Sequence, residues 1–321
     1  MRYLDPKNDL TFKRVFGQHP HLLRSLLNAL LPFSEEGAIV SLEYLPPELS
    51  PELPLLKNTI VDVRCIDKQG RQFIVEMQVL WTDSFMNRVL FNASKAYVRQ
   101  LEKGQKYKYL QPVYSLNLID DTFDANPSAF YHHYKIVNIE NTGKQIKGLE
   151  FVFVELPKFK PQGISLKKLQ VLWLRYLTEI GDNTTNIPAD LLDNPEIREA
   201  IECLQESAFT KNELEAYDKY WDQVRVERTI REDSHLKGKA EGEQIGLEKG
   251  EQIGLEKGEQ IGLEKGEQAG FNKTALRILR KGKTTAETVE LTGLAEETVQ
   301  KLNLILKKYG NMAEDHLDEM V

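Results

Sequence analysis

Residues Ile60 to Leu80, IVDVRCIDKQGRQFIVEMQVL, decide the reading of this chain. Apolar and polar residues alternate through Ile60–Ile66 and again through Phe73–Leu80, the period of half-buried β-strands. Between them, Asp67-Lys68-Gln69-Gly70-Arg71 is a polar, turn-forming run with a glycine, so the pair is read as a hairpin. A turn about Gln69 sets Asp62 against Glu76 and Ile60 against Gln78. The other face then carries Val61, Val63 and Cys65 against Val75, Met77 and Val79, an apolar set fit for burial. Opposed carboxylates stand about 4.5–5.5 Å apart at Cβ and repel each other. A divalent cation offsets that repulsion: Mg²⁺ takes one or two carboxylates together with waters and phosphate oxygens, and can ready a water for in-line attack. The alternative is two acids that simply face solvent on the polar side of the strands.

Outward from the hairpin, apolar residues at helical spacing from Asp5 to Leu31 predict a helix, followed by a proline-rich connector from Pro46 to Pro54. A helix is expected over Ser84 to Glu102, ending near Gly104. On it Arg88, Asn92, Lys95, Arg99 and Lys103 form one mainly basic stripe, and Met86, Leu90, Ala93, Tyr97 and Leu101 the stripe expected to be buried. A basic ridge beside two carboxylates suits a phosphodiester substrate, and equally a solvated helix face. Pro112–Ile119 and Leu149–Val154 read as further strands, and the order α-β-β-α-β is that of a mixed α/β core. Helices are expected at Leu166–Ile180, Pro195–Ser207 and from Lys211 to about Glu232.

The octad GEQIGLEK at Gly242 recurs at Gly250 and Gly258 and decays at Gly266, so glycine falls every fourth position. Each helical glycine costs roughly 1 kcal/mol relative to Ala, and an eight-residue repeat drifts around a helix axis by about 80° per copy. A marginal helix or flexible spacer is expected, without a stable Ile245–Ile253–Ile261 seam. The ending, Thr274 to Tyr309, is read as a small helical module with Thr284 and Glu287 in capping-box spacing and Gly293 at a turn. The expected organisation is a core over 1–160, a helical region over 161–235, the repeat over 236–273 and the helical module with its acidic tail over 274–321.

Composition narrows the classes. Two cysteines far apart, Cys65 and Cys203, exclude a disulfide framework and a zinc ribbon. The six histidines form no H-E-x-x-H, and His132 and His133 point to opposite sides of any regular element. No run approaches the roughly 20 apolar residues of a membrane span, and a cytoplasmic location is expected. The net charge of -7 sits in the second half: residues 1–160 carry 20 basic against 18 acidic residues, the remainder 22 against 31. The first half therefore remains compatible with a phosphate backbone.

NDLTFKRVFG (Asn8–Gly17), then VDVRCID, then VEMQ, then a helix with Arg88 and Tyr97, resemble the recombination-promoting nucleases, also described as PD-(D/E)xK nuclease family transposases. The resemblance covers about 1–155 closely. It implies a restriction-endonuclease-like mixed sheet flanked by helices, DNA cleavage dependent on Mg²⁺ or Mn²⁺, and a role in recombination or mobile elements. By that resemblance Asp62 matches the motif aspartate and Glu76 the acid of (D/E)xK, both metal-binding. Gln78 stands where the motif usually has lysine; an amide can orient water by hydrogen bonds but cannot neutralise developing charge. Asp9 matches an acid that some members add to the metal shell, and equally reads as a helix cap. Lys13 is a candidate for the missing cation, and Arg88, Lys95 and Arg99 for backbone contacts to DNA. The C-terminal module resembles a helix-turn-helix, but Glu296 and Glu297 open its second helix, so protein contact and homo-oligomerisation are the expected role.

Overall fold

The computed structural model describes residues 2–49, 59–161 and 167–320. Part of the Pro46–Pro54 connector, and the expected helix start at Leu166, lie outside the described residues.

The N-terminal helical pattern forms two helices rather than one. α1 (Asp9–Phe16) is capped by Asn8, whose side chain accepts the Leu10 N–H, and it ends at Gly17. α2 (Pro20–Leu30) starts on a proline, which disfavours helical backbone at His19 and so breaks the run. Three short strands follow, β1 (Leu42–Tyr44), β2 (Glu48–Leu49) and β3 (Thr59–Ile60), then the hairpin β4 (Val63–Asp67) and β5 (Gln72–Gln78). Asp67 pins the hairpin turn: its Oδ1 accepts the N–H groups of Gln69 and Arg71, and its Oδ2 pairs with Arg71 Nε at 2.7 Å. Gly70 holds φ at +82°, a backbone region that a side chain would oppose. α3 (Ser84–Val98) leads to β6 (Val113–Ile119), β7 (Tyr131–Val137) and β8 (Gln145–Glu155).

One six-stranded sheet results, in the order β1-β4-β5-β6-β8-β7. β5, β6 and β8 are parallel and the other pairings antiparallel. Strand β7, which the sequence reading did not anticipate, covers the β8 edge and leaves the parallel strands interior. β5 is buried along nearly its whole length. Its alternate residues part cleanly. Phe73, Val75 and Met77 join a large core with Phe12, Phe16, Leu22 and Leu26 of α1 and α2. Ile74 packs under Ala93 and Ala96 of α3 on the opposite face. The fold is therefore an α/β sheet between helical layers, as expected of a restriction-endonuclease-like core.

Helices α4 (Lys168–Glu179), α5 (Ala189–Leu192) and α6 (Pro195–Glu202) complete the larger core. Trp173 is fully buried there and its indole N–H donates to Ser25 Oγ. The first compact unit consequently extends past residue 160, to Arg231, and a second runs from Glu232 to Val321. α7 (Lys211–Arg280) begins in the first unit and includes the glycine octads, so the repeat is helical rather than irregular. Within it Gln244–Glu248, Gln252–Glu256 and Gln260–Glu264 hydrogen bonds, one per octad at i,i+4, offset part of the glycine cost. Ile245, Ile253 and Ile261 stay half exposed. In the second unit α8 (Thr285–Thr292) carries the expected capping box of Thr284 and Glu287 and ends on Gly293 at φ +71°. It lies beside α9 (Glu296–Tyr309), whose Val299 and Leu302 bury against Ala275, Leu276 and Leu279.

Candidate active site

The inferred hairpin register holds through Val63 opposite Val75, and the next pair in line is Asp62 with Glu76. There the ladder stops. Asp62 Oδ2 accepts the Met77 N–H at 2.7 Å, so a carboxylate replaces the backbone carbonyl that would have continued the strand. The chain bends at Val61–Asp62, and Ile60 pairs with Glu48 of β2 instead of Gln78. Val61 is buried as expected, but in the α3-side cluster with Ile74, opposite to Val63 and Cys65. This break places Asp62 at the carboxyl end of β5, next to Glu76. In open α/β sheets that end of the parallel strands is where ligands bind.

Burial raises the Asp62 carboxyl most, and the Glu76 and Asp9 charges add to it; the group is pushed up to about 7 despite the Met77 N–H and Lys13. Glu76 is 5% exposed and is also raised, chiefly by burial, against the opposing pull of Arg88 and Asn92. Asn92 Nδ2 donates to Glu76 Oε1 at 3.0 Å, and Arg88 lies 3.6 Å from Glu76 Oε2. Arg88 also donates to Gln78 Oε1 at 2.7 Å, while Gln78 Nε2 donates to the Leu80 carbonyl. Gln78 is thus committed at both ends of its amide.

Two expectations for α3 need correction. The helix ends at Val98, short of Glu102, and its buried face is Phe85, Val89, Asn92, Ala93 and Ala96; Leu90 is half exposed and Met86 only partly buried. Of the expected buried stripe, Ala93 is buried and Met86 and Tyr97 pack partly buried against the sheet-side clusters, but Leu90 is half exposed; Asn92, which an apolar count cannot register, is held inward by Glu76. Asn92, at 1% exposure, is the innermost member of the stripe read as a basic ridge for a phosphodiester or, equally, a solvated face.

The other candidates divide. Lys13 Nζ pairs with Asp9 Oδ1 at 2.7 Å and lies 4.0 Å from Asp62 Oδ1, so α1 does bring a cation to the carboxylates. Asn8, not Asp9, caps α1. Lys95 and Arg99 sit about 10 and 16 Å further along α3 than Arg88, by helical rise. Lys95 Nζ donates to the Leu49 carbonyl and lies over the Phe91 ring at 5.2 Å. Partial burial and the Arg99 charge lower its pKa. These two cations form a group with Arg64, apart from Glu76.

A cleft of about 320 Å³ opens past the carboxyl end of β5, next in the chain to Glu76, with Asp9 rather than Asp62 or Glu76 in its lining. Asp9, Gln78 and Leu80 line one wall; Tyr220, Gln223 and Glu227 of α7 line the other. Arg228 and Arg231 tie that part of α7 to the end of β6, at 3.9 Å from Asp120 and 2.6 Å from Asp121. Nothing in the sequence foretold this wall, because it joins residues that only the tertiary fold brings together.

Among the described residues no three Asp, Glu, His or Cys side chains stand close enough to cage a metal on their own. A pair of carboxylates is nevertheless a sufficient protein share for Mg²⁺, which keeps waters and takes phosphate oxygens. The donor chemistry fits such an ion. Two acids are held in a poorly hydrated corner where burial works against their charge, and the buried Asn92 Oδ1 beside them has no partner.

A mixed sheet with an Asp at the broken end of one hairpin strand and a Glu two residues before a Gln on the next defines a nuclease-like protein of the PD-(D/E)XK class. A family model, PD-(D/E)XK nuclease family transposase, matches residues 6–229, and the chain belongs to that family. The match ends on α7, close to the boundary of the first compact unit. Among curated proteins and solved structures, none matches this chain. Nucleases of this class generally use divalent metals. No helix among the described residues is long and apolar enough to cross a membrane.

Proposed function

We propose that the protein is a Mg²⁺-dependent endodeoxyribonuclease acting in recombination or in the movement of mobile elements. The observation that carries this reading is the juxtaposition of Asp62 and Glu76 at the carboxyl end of β5, with Gln78, Arg88 and Lys13 around them. Asp62 and Glu76 would hold the metal, and Mn²⁺ could replace Mg²⁺. An ion held there would supply positive charge to the phosphate and make a water more acidic. In the hydrolysis a water oxygen bonds to phosphorus, one P–O ester bond breaks, the water proton passes to solvent and the departing oxygen takes up a proton. Arg88 and Lys13 offset negative charge near the phosphate, Gln78 orients water when released from Leu80, and Lys95 and Arg99 meet the DNA backbone further along α3. The C-terminal unit would serve homo-oligomerisation.

Nicking of supercoiled plasmid by wild type and Asp62→Ala, each with Mg²⁺ or EDTA, tests this reading. Nicking that requires both the metal and Asp62 is expected; nicking that persists in the purified variant refutes it.

The commitment of the Gln78 amide favours a second reading, a nuclease-derived DNA-binding accessory protein that does not cleave. DNA binding insensitive to Mg²⁺, with no nicking at any protein concentration, would select it.

A further inference from the structure

Helix α7 brings Tyr217 and Tyr220 into the first compact unit one helical turn apart. Their hydroxyls are in different situations. Tyr217 is buried, and its hydroxyl donates to Asp182 Oδ1 and accepts the Asp5 N–H, both at 2.9 Å. Tyr220 lines the cleft opposite Gln78 and Leu80, and among the described residues nothing hydrogen-bonds its hydroxyl. Its ring packs edge-on against Trp221 at 5.4 Å, which fixes where the hydroxyl points from. After burial, the influences that hold the phenol protonated are the carboxylates of Asp9, Asp62, Asp5 and Asp120.

A phosphodiester entering this cleft brings a charged oxygen that needs donors. On the hairpin side each donor already holds one protein partner, Lys13 with Asp9, Arg88 with Gln78 and the Gln78 amide nitrogen with Leu80, and only part of its donor capacity is left for the phosphate. Gln223, on the same wall as Tyr220, is exposed. Tyr220 therefore offers a partly buried O–H without a previous commitment, on a helix tied down by Arg228 and Arg231.

We propose that Tyr220 donates a hydrogen bond to a non-bridging oxygen of the phosphodiester positioned at Asp62 and Glu76. Helix α7 thereby supplies a substrate-contacting residue to a site whose carboxylates come from the hairpin. The inference rests on the nuclease reading for its substrate, but not for its test.

Tyr220→Phe removes only the hydroxyl, and Tyr217→Phe removes a structural one. Two measurements are made on the full chain: anisotropy of a fluorescent DNA oligonucleotide with Ca²⁺ in place of Mg²⁺, and plasmid nicking with Mg²⁺ at saturating DNA. A hydrogen bond to a charged acceptor corresponds to roughly ten-fold in affinity or more. Loss of a preorganised donor to the transition state lowers the rate by roughly 10²-fold. Tyr220→Phe is expected to show both losses with an unchanged thermal midpoint. Tyr217→Phe should lower the midpoint and retain oligonucleotide affinity. Equal affinity of wild type and Tyr220→Phe, including no binding by either, overturns the proposal. If wild type binds DNA but does not nick it, the nuclease reading fails, and the affinity comparison alone decides Tyr220.

Discussion

Replacing Asn92 by Asp exchanges a donor for an acceptor at the most enclosed contact of the site. Asn92 Nδ2 lies 3.0 Å from Glu76 Oε1, and the two residues are 1% and 5% exposed. Two negative charges at that separation repel by about 5 kcal/mol at an effective dielectric of about 20. Arg88, 3.6 Å from the other Glu76 oxygen, returns part of this, and the pair can take up a shared proton. A net loss of about 2–4 kcal/mol is expected at about pH 8, a large share of a total stability of roughly 5–15 kcal/mol. The sign with pH follows from linkage. A carboxyl pair whose folded pKa is raised costs almost nothing at about pH 3, where the unfolded acids also hold most of their protons. The cost grows as pH rises to the folded value. Asn92→Ala, which only removes the donor, should lose about 1–3 kcal/mol with little dependence on pH. Urea denaturation in EDTA, followed by tryptophan fluorescence, measures this in the first unit, since Trp81, Trp173 and Trp221 all lie there. If Asn92→Asp is as stable as wild type at about pH 8, Asn92 faces solvent and the inward α3 face is wrong.

Asp120→Asn tests the end of β6. Burial first, then Asp5 and Asp121, push the Asp120 carboxyl up to about 6 against Lys7 and Arg228, so its ionisation weakens the fold as pH rises from the ordinary carboxyl range to that value, and by a constant amount above it. The variant should gain about 1–2 kcal/mol at about pH 8 and almost nothing at about pH 3 in the same denaturation experiment; a loss at high pH would contradict this. In the octads, a Cβ added at Gly246, Gly254 or Gly262 meets nothing within 4 Å, so each Gly→Ala change should stabilise α7 by about 1 kcal/mol. Thermal melts by circular dichroism at the helical band would show this as a later transition, and an earlier one would mean the glycines make a close contact between chains. Thr284→Ala should cost the second unit about 1 kcal/mol through loss of the capping box, read in the same melts.

The sequence by itself determined what depends on local period and turn chemistry. The alternation of β5, the Asp67–Gly70 turn and the apolar set behind the hairpin fixed its register, and with it the adjacency of Asp62 and Glu76. Thr284 and Glu287 likewise announced the start of α8. Tertiary structure decided what depends on one polar group finding another at long range. The strand was expected to run straight through Asp62, but it breaks there because the Asp62 carboxylate captures the Met77 N–H. α3 turns Asn92 inward because buried Glu76 needs a donor, and Leu90 of the expected apolar stripe is left half exposed. The wall formed by Tyr220 and Glu227 exists because Arg228 and Arg231 meet carboxylates more than a hundred residues away. Periodicity records which side of an element avoids water; it does not record which buried charge a distant side chain must satisfy.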